Sequence, residues 1–274
     1  MGKIVFLDID GTLVNFNQQM PESAFTALRE ARKNGHKMAL CTGRTYGHIY
    51  PWLRDFGFDA VVASAGAYVK VGEEVLYHHV FDYEKLKGLL ELLRRHNIDF
   101  MAQGLNGRIV ERKCLKGIEE HFAAIHTDYK KHFAEVEQVE YISEKHSVES
   151  MMFFNSNVGI TQLQKEIDEE LEGYFCVTGA SYETDREHNG ELTCKGIHKA
   201  DGMKRVVDYF SMSPADVIAF GDGPNDFEML QYAGTGVAMG NGVETLKNTA
   251  DFVADDMEQD GIYKAFLHLG LIEG

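Results

Sequence analysis

The chain has 274 residues, 44% apolar and 26% charged, a composition that excludes a mainly disordered protein and is long enough for about two globular domains. Its 27 basic and 43 acidic residues leave a formal charge of -16, which repels nucleic acid and anionic membranes and disfavours both as partners. If the substrate is itself an anion, a metal ion or a few well-placed cations must reverse the field locally.

The first apolar run, Ile4 to Leu7, is unbroken, the signature of a strand covered on both faces in a parallel sheet. It is too short for a signal peptide, and no stretch of the chain approaches the ~20 apolar residues of a membrane span. A myristoylation motif fails because Phe6 stands where Ser or Thr is required. The run ends in "DIDGTL", which sets Asp8 and Asp10 at the end of a core strand. A carboxylate there is costly unless something uses its charge.

"PESAFTALREARKNG" repeats Ala24, Ala27, Leu28 and Ala31 at helical spacing, and Gly35 is placed to end the helix. "KMALCTGR" and "DAVVASAG" predict two further buried strands. Strand, helix, strand in repetition is the pattern of an α/β fold with a parallel sheet. Right-handed crossovers bring the C-terminal strand ends to one edge, so Asp8 and Thr42 are expected as neighbours in the crevice where such sheets bind ligands.

From about residue 82 the texture changes. A helix carrying Leu86, Leu89, Leu90 and Leu93 leads into "FMAQGLNGRIVER", where Asn106-Gly107 predicts a turn between paired strands. "SVESMMFF" predicts a strand, Leu163, Ile167 and Leu171 a helix, and "YFCVTG" another strand. The expectation is a smaller α+β domain over 82-187, inserted into a core of 1-81 and 188-274. Met151 to Phe154 are read as its core, and His121, His126 and His132, which lack zinc-ligand spacing, as surface residues.

After the insertion the first pattern resumes: "KADGMKRVVDYF" is helical by Met203, Val206, Val207 and Phe210, "DVIAFGDGPND" is a buried strand running into acid, and "TGVAMG" and "DFVADD" are closing strands. Gly234, Gly236 and Gly240 miss the dinucleotide-binding spacing and read as turns flanking a strand. Cys41, Cys114, Cys176 and Cys194 are scattered, which predicts reduced thiols in a cytoplasmic protein.

Four pieces point at one crevice: Asp8 and Asp10; Thr42, Gly43 and Arg44; Lys199; and "GDGPND" with Asp222, Asn225 and Asp226. Two carboxylates ~4 Å apart repel by about 4 kcal/mol at an effective dielectric near 20, so a gathering of three or four calls for protons or a cation. An all-oxygen aspartate cluster suits a hard cation, and Mg2+ fits best. Asp8 is then the candidate nucleophile, able to take a phosphoryl group covalently, and Asp10 the general acid and base. The Thr42 hydroxyl, the Gly43 amide and the Lys199 ammonium are candidates to contact phosphoryl oxygens. Asp222 would complete the metal shell, with Asn225 and Asp226 orienting Lys199 or water.

These residues carry a resemblance. "DIDGTL", "TGR", Lys199 in "KGIHKADG" and "GDGPNDFEML" match, in order, the four motifs of the haloacid dehalogenase superfamily of phosphohydrolases, and the insertion between the second and third resembles the class IIB, Cof-like subgroup. The resemblance implies a Rossmann-like α/β core with helices on both faces and an α/β cap that closes over the crevice. It makes Asp8 nucleophile and metal ligand, Asp10 acid/base with its backbone carbonyl on the metal, and Asp222 a metal ligand. Arg44 and Asn225 would face substrate, Arg44 reaching toward the phosphate or the leaving group. The implied activity is hydrolysis of small phosphomonoesters, sugar phosphates above all. One departure stands out: the usual Asn-Gly after the third strand is Ala65-Gly66 here. The rival readings are a phosphomutase on the same scaffold, a catalytically silent phosphometabolite-binding protein and, third, a dehydrogenase.

Overall fold

The computed structural model describes residues 2-15, 17-125, 136-179, 185 and 187-273. They form two compact units: Met1-Arg44, Ile49-His78 and His198-Gly274 in the first, Thr45-His48 and His79-Ile197 in the second.

The first unit is built on an eight-stranded sheet. Strands β1 (Ile4-Leu7), β2 (Lys37-Cys41) and β3 (Ala60-Ala63) are joined by β4 (Tyr68-Val71) and β5 (Glu74-His78) on one side. After the second unit come β12 (Val217-Gly221), β13 (Thr235-Ala238) and β14 (Phe252-Val253), giving the order β14-β13-β12-β1-β2-β3-β4-β5. All pairs from β14 to β3 are parallel, and β4 and β5 add antiparallel. Every residue of β1 is buried, as its unbroken apolar run requires.

On one sheet face Ile4 and Phe6 pack in a core with Met203, Val206 and Val207 of the helix Lys199-Tyr209 and with Met229 and Leu230. Another core contact is the Phe220-Phe266 ring pair, 5.5 Å between centroids, which ties β12 to the helix Gly261-His268. The predicted helix spans Glu22-Lys33 and buries the four residues its spacing singled out. Full burial of each large side chain in these layers is worth roughly 1.5-3 kcal/mol.

The order has a functional consequence. The chain runs outward from β1 to β2 and β3 on one side, then resumes at β12 on the other. The switch point therefore lies between β1 and β12, where diverging loops leave a crevice at the carboxyl ends.

The second unit holds a six-stranded sheet of β6 (Asp99-Gly104), β7 (Gly107-Glu111), β8 (Val136-Val139), β9 (Ser150-Phe154), β10 (Phe175-Gly179) and β11 (Gly190-Cys194), in the order β10-β11-β9-β6-β7-β8. Only β7 and β8 pair in parallel. The helices Tyr83-Arg95, Arg112-Ile125 and Ile160-Glu170 accompany it, and Leu89, Leu93, Phe100, Phe153, Leu163 and Ile167 share its core. Asp82 caps the first of these helices, its carboxylate accepting from the Lys85 amide at 3.1 Å. Met151 to Phe154 are buried in this core.

Three details differ from the sequence reading. The second unit runs on to Ile197 rather than ending near 187, because β11 pairs with β9 and β10 and so belongs to that sheet. The β6-β7 turn falls on Leu105 and Asn106, since Gly104 pairs with Gly107. His121 is half-buried rather than a plain surface residue, its ring 5.1 Å from that of Phe154; His126 and His132 lie outside the described residues. No helix among the described residues is long and apolar enough to cross a membrane.

Candidate active site

The crevice between β1 and β12 collects the acidic motifs. Asp8 follows β1 directly, its amide donating to the Phe220 carbonyl of β12 at 3.0 Å, and Asp222 follows β12. Gly11 makes their approach possible. Its φ of +82° is a left-handed conformation, and a Cβ there would lie 2.2 Å from Asp222 Oδ2. The next residue, Thr12, donates its hydroxyl to Asp222 Oδ1 at 2.7 Å. Asn241 holds the same turn from outside, its amide donating to the Gly11 carbonyl at 2.7 Å.

Lys199 enters from the first position of its helix. Close packing of that helix on β3 is permitted by two glycines: a Cβ on Gly202 would meet Val62 at 2.3 Å, and one on Gly66 would meet the His198 carbonyl at 2.3 Å. The ammonium is only 1% exposed and lies 2.9 Å from Asp8 Oδ1 and 2.6 Å from Asp226 Oδ1. The other Asp226 oxygen accepts from the Asp222 and Gly223 amides, each at 2.9 Å. Asp226 therefore locks the loop after β12 onto Lys199.

These buried charges perturb one another. Burial raises the Asp8 carboxyl well above the usual carboxylate range, opposed by Lys199 and reinforced by Asp226, Asp222 and Asp10. Asp222 is pushed up to about 7, by burial first and then by Asp226, against the Thr12 hydrogen bond and Lys199. Burial disfavours the charged form of Lys199, but Asp226 and Asp8 outweigh it and raise its pKa, so the lysine remains an ammonium.

Oxygens of Asp8, Asp222 and Asp226 lie within 4.8 Å of one another. Three carboxylates against one ammonium leave two negative charges uncompensated, the charge of one divalent cation. The donor set is all oxygen, as a hard ion such as magnesium requires. Asp226 is the least available of the three, since both its oxygens are engaged, which leaves Asp8 and Asp222 as the side chains able to hold the ion.

Of the expected metal set of Asp8, Asp10 and Asp222, Asp10 is the residue expected to offer its backbone carbonyl, and its carboxylate lies outside this cluster. Asp10 is absent from the carboxylate cluster because Arg44 grips it: Arg44 Nε donates to Oδ2 at 2.6 Å and Nη2 to Oδ1 at 2.7 Å. What Asp10 can offer a metal is its backbone carbonyl. Arg44 is accordingly an ion-pair partner of Asp10 here, with its Nη2 also donating to the Tyr50 hydroxyl at 2.7 Å.

Thr42 is 1% exposed, and its Oγ1 accepts from the Arg44 amide at 3.1 Å, which leaves its own O-H to donate. Gly43 and Asn225 are neighbours, the Asn225 amide nitrogen standing 3.6 Å from where a Gly43 Cβ would be. Ala65, at the departure from the expected Asn-Gly, has φ 52° and ψ 30°. Its amide donates to the Thr42 carbonyl at 3.0 Å, so this strained turn borders the same crevice.

Sequence reasoning missed Thr12, Asn241 and Tyr50. Thr12 was visible as the threonine of "DIDGTL", and a hydroxyl two residues beyond a candidate metal-site aspartate was a usable signal. Asn241 and Tyr50 have no local signature.

The chain is similar to known proteins over most of its length. A family model described as haloacid dehalogenase-like hydrolase matches residues 5-266. The protein YkrA of Bacillus subtilis (strain 168) is 30% identical over 275 residues, covering 99% of this chain and 99% of that protein. Among solved structures, BT1666 of Bacteroides thetaiotaomicron, from a study of phosphatases of the haloalkanoate superfamily, gives a TM-score of 0.84 at 26% identity, covering 99% of this chain and 96% of that one. The subclass IIB sugar phosphatase BT4131 gives 0.78 at 28% identity, covering 98% and 100%.

Proposed function

Because the chain belongs to the haloacid dehalogenase-like hydrolases and is a phosphatase of that family, we propose that it hydrolyses monoesters of small phosphorylated metabolites, with magnesium and through an aspartyl-phosphate on Asp8. The observation that carries this reading is the meeting of Asp8, Asp222 and Asp226 around the buried ammonium of Lys199. In this reading the unit with the four motifs is the phosphatase core and the inserted unit is its cap. Similarity to a sugar phosphatase supports sugar phosphates as the first substrate class to test.

Asp8, Asp222 and the Asp10 carbonyl would hold magnesium, which when bound would supply positive charge against the phosphate and the charge that develops on its oxygens. The protein's own groups do the rest. An Asp8 carboxylate oxygen bonds to phosphorus as the bond from phosphorus to the leaving oxygen breaks, and Asp10 gives that oxygen its proton. Asp10, now a carboxylate, takes a proton from water, whose oxygen bonds to phosphorus as the Asp8 bond breaks. Inorganic phosphate leaves and Asp10 is an acid again.

Lys199, the Thr42 hydroxyl and the Gly43 amide donate to the phosphoryl oxygens, where fixed donors lower the barrier most. Asp226 keeps Lys199 from rotating away, by its 2.6 Å contact. The test is phosphate release from a panel of phosphomonoesters with magnesium and after exhaustive chelation. Release that requires the metal supports the reading. No release from any ester with magnesium present overturns it.

A further inference from the structure

The helix Glu22-Lys33 buries one face and turns another outward. Ala24, Ala27, Leu28 and Ala31 are buried, which leaves Phe25, Arg29, Arg32 and Lys33, at i, i+4, i+7 and i+8, along a second face. With Trp52, Asp55 and Phe56 they line a surface cavity of about 560 Å³ within the first unit, inside the roughly 300-1,000 Å³ of small-molecule sites.

The charge here is opposite in sign to that of the chain. Three cations face one carboxylate, Asp55, on a protein with 43 acidic and 27 basic residues. Arg32 is committed, since its Nη1 donates to the Phe56 carbonyl at 3.3 Å and its Nε lies 3.9 Å from Asp59. Arg29 and Lys33 are in no ion pair among the described residues; Arg29 sits over the Phe25 ring, 5.2 Å from its centroid.

The aromatic side of the cavity is firmly packed. Phe56 meets Phe25 edge-on at 5.4 Å and Phe58 at 4.9 Å. Trp52 stacks on Tyr50, 5.8 Å between centroids at an interplanar angle of 13°, and is still 42% exposed. An exposed indole beside two uncommitted cations suits a flat aromatic anion, ring against ring and phosphate oxygens on guanidinium and ammonium.

We infer that this cavity is a second binding site, separate from the Asp8 crevice, for an aromatic phosphate monoester of the size of a nucleoside monophosphate. Trp52 stacks the ring and Arg29 and Lys33 pair with the phosphate; no bond is made or broken there. The site shares no residue with the four motifs, so it stands independently of the phosphatase reading.

Trp52 is the one tryptophan of the chain, and its fluorescence reports on the cavity directly. With the full chain in chelator, AMP should quench it saturably. Adenosine, which lacks the charge, and inorganic phosphate, which lacks the ring, should each compete with AMP at least about tenfold more weakly than AMP itself binds. Arg29→Gln with Lys33→Gln should raise the Kd for AMP at least about tenfold, the worth of one charge-assisted hydrogen bond. No saturable quenching, equal affinity for adenosine or inorganic phosphate, or a Kd that the double variant leaves within that factor overturns the inference. If the double variant does not fold, equilibrium dialysis of labelled AMP against Trp52→Leu decides: a loss of at least about tenfold in affinity supports the site, and a smaller one overturns it. None of these readouts uses turnover, so their failure leaves the phosphatase reading standing.

Discussion

Replacing Lys199 by Met removes a buried ammonium and leaves its two partners behind. At the observed separations of 2.9 and 2.6 Å, each contact is worth about 6 kcal/mol by Coulomb's law at an effective dielectric of 20. Part of that offsets the desolvation of the lysine, and breaking a buried pair on one side typically costs about 3-5 kcal/mol. Asp226 is fully buried and Asp8 nearly so, so neither recovers its hydration.

For a unit of about 150 residues, that loss lowers the unfolding temperature by about 6-20 °C in chelator. Magnesium should restore part of it, since a divalent ion balances the same carboxylates, while turnover stays lost. Trp52, the one tryptophan of the chain, lies in the first unit, so its fluorescence follows the unit concerned. A Lys199→Met protein that unfolds within about 1 kcal/mol of wild type in chelator would refute the charge accounting.

Asp222 gives a pH signature. Its carboxyl is raised from 3.8 to about 7 in the folded protein, so the stability it contributes is present below about pH 4 and fades as pH rises through 7. Metal-free protein should therefore lose stability between pH 5.5 and 8, and magnesium should raise the unfolding temperature more at pH 8 than at 5.5; calorimetry at both values checks the trend. Gly11→Ala drives a Cβ into Asp222 from a φ of +82° and should raise the magnesium concentration for half-maximal activity at least about tenfold, read from a metal titration. Ala65→Gly relieves a left-handed alanine at φ 52° and should stabilise the first unit by about 1 kcal/mol in thermal unfolding.

What the sequence displayed was the part of the molecule that local chemistry determines. β1, β2 and β12 are continuous apolar runs because both sheet faces are covered, and the crossover rule brought Asp8 and Thr42 to one edge. β5 went unread because its residues are half-buried or exposed and carry no clear alternation. β11 went unread because "GELTC" has one strongly apolar residue, Leu192, and that single gap moved the expected boundary from Ile197 to 187. The Arg44 grip on Asp10 spans 34 residues and depends on the path of two loops, while the Arg44-Tyr50 contact spans six residues and depends on the shape of one. No residue spacing reports such contacts.

The central claim is that Asp8 takes the phosphoryl group. Acid quenching during turnover of a phosphomonoester with magnesium, followed by mass spectrometry of the peptide containing residue 8, tests it most directly. The account predicts a phosphoryl mass increment on Asp8 in the wild type and neither increment nor turnover in Asp8→Asn. An Asp8→Asn protein that releases phosphate at the wild-type rate would contradict it.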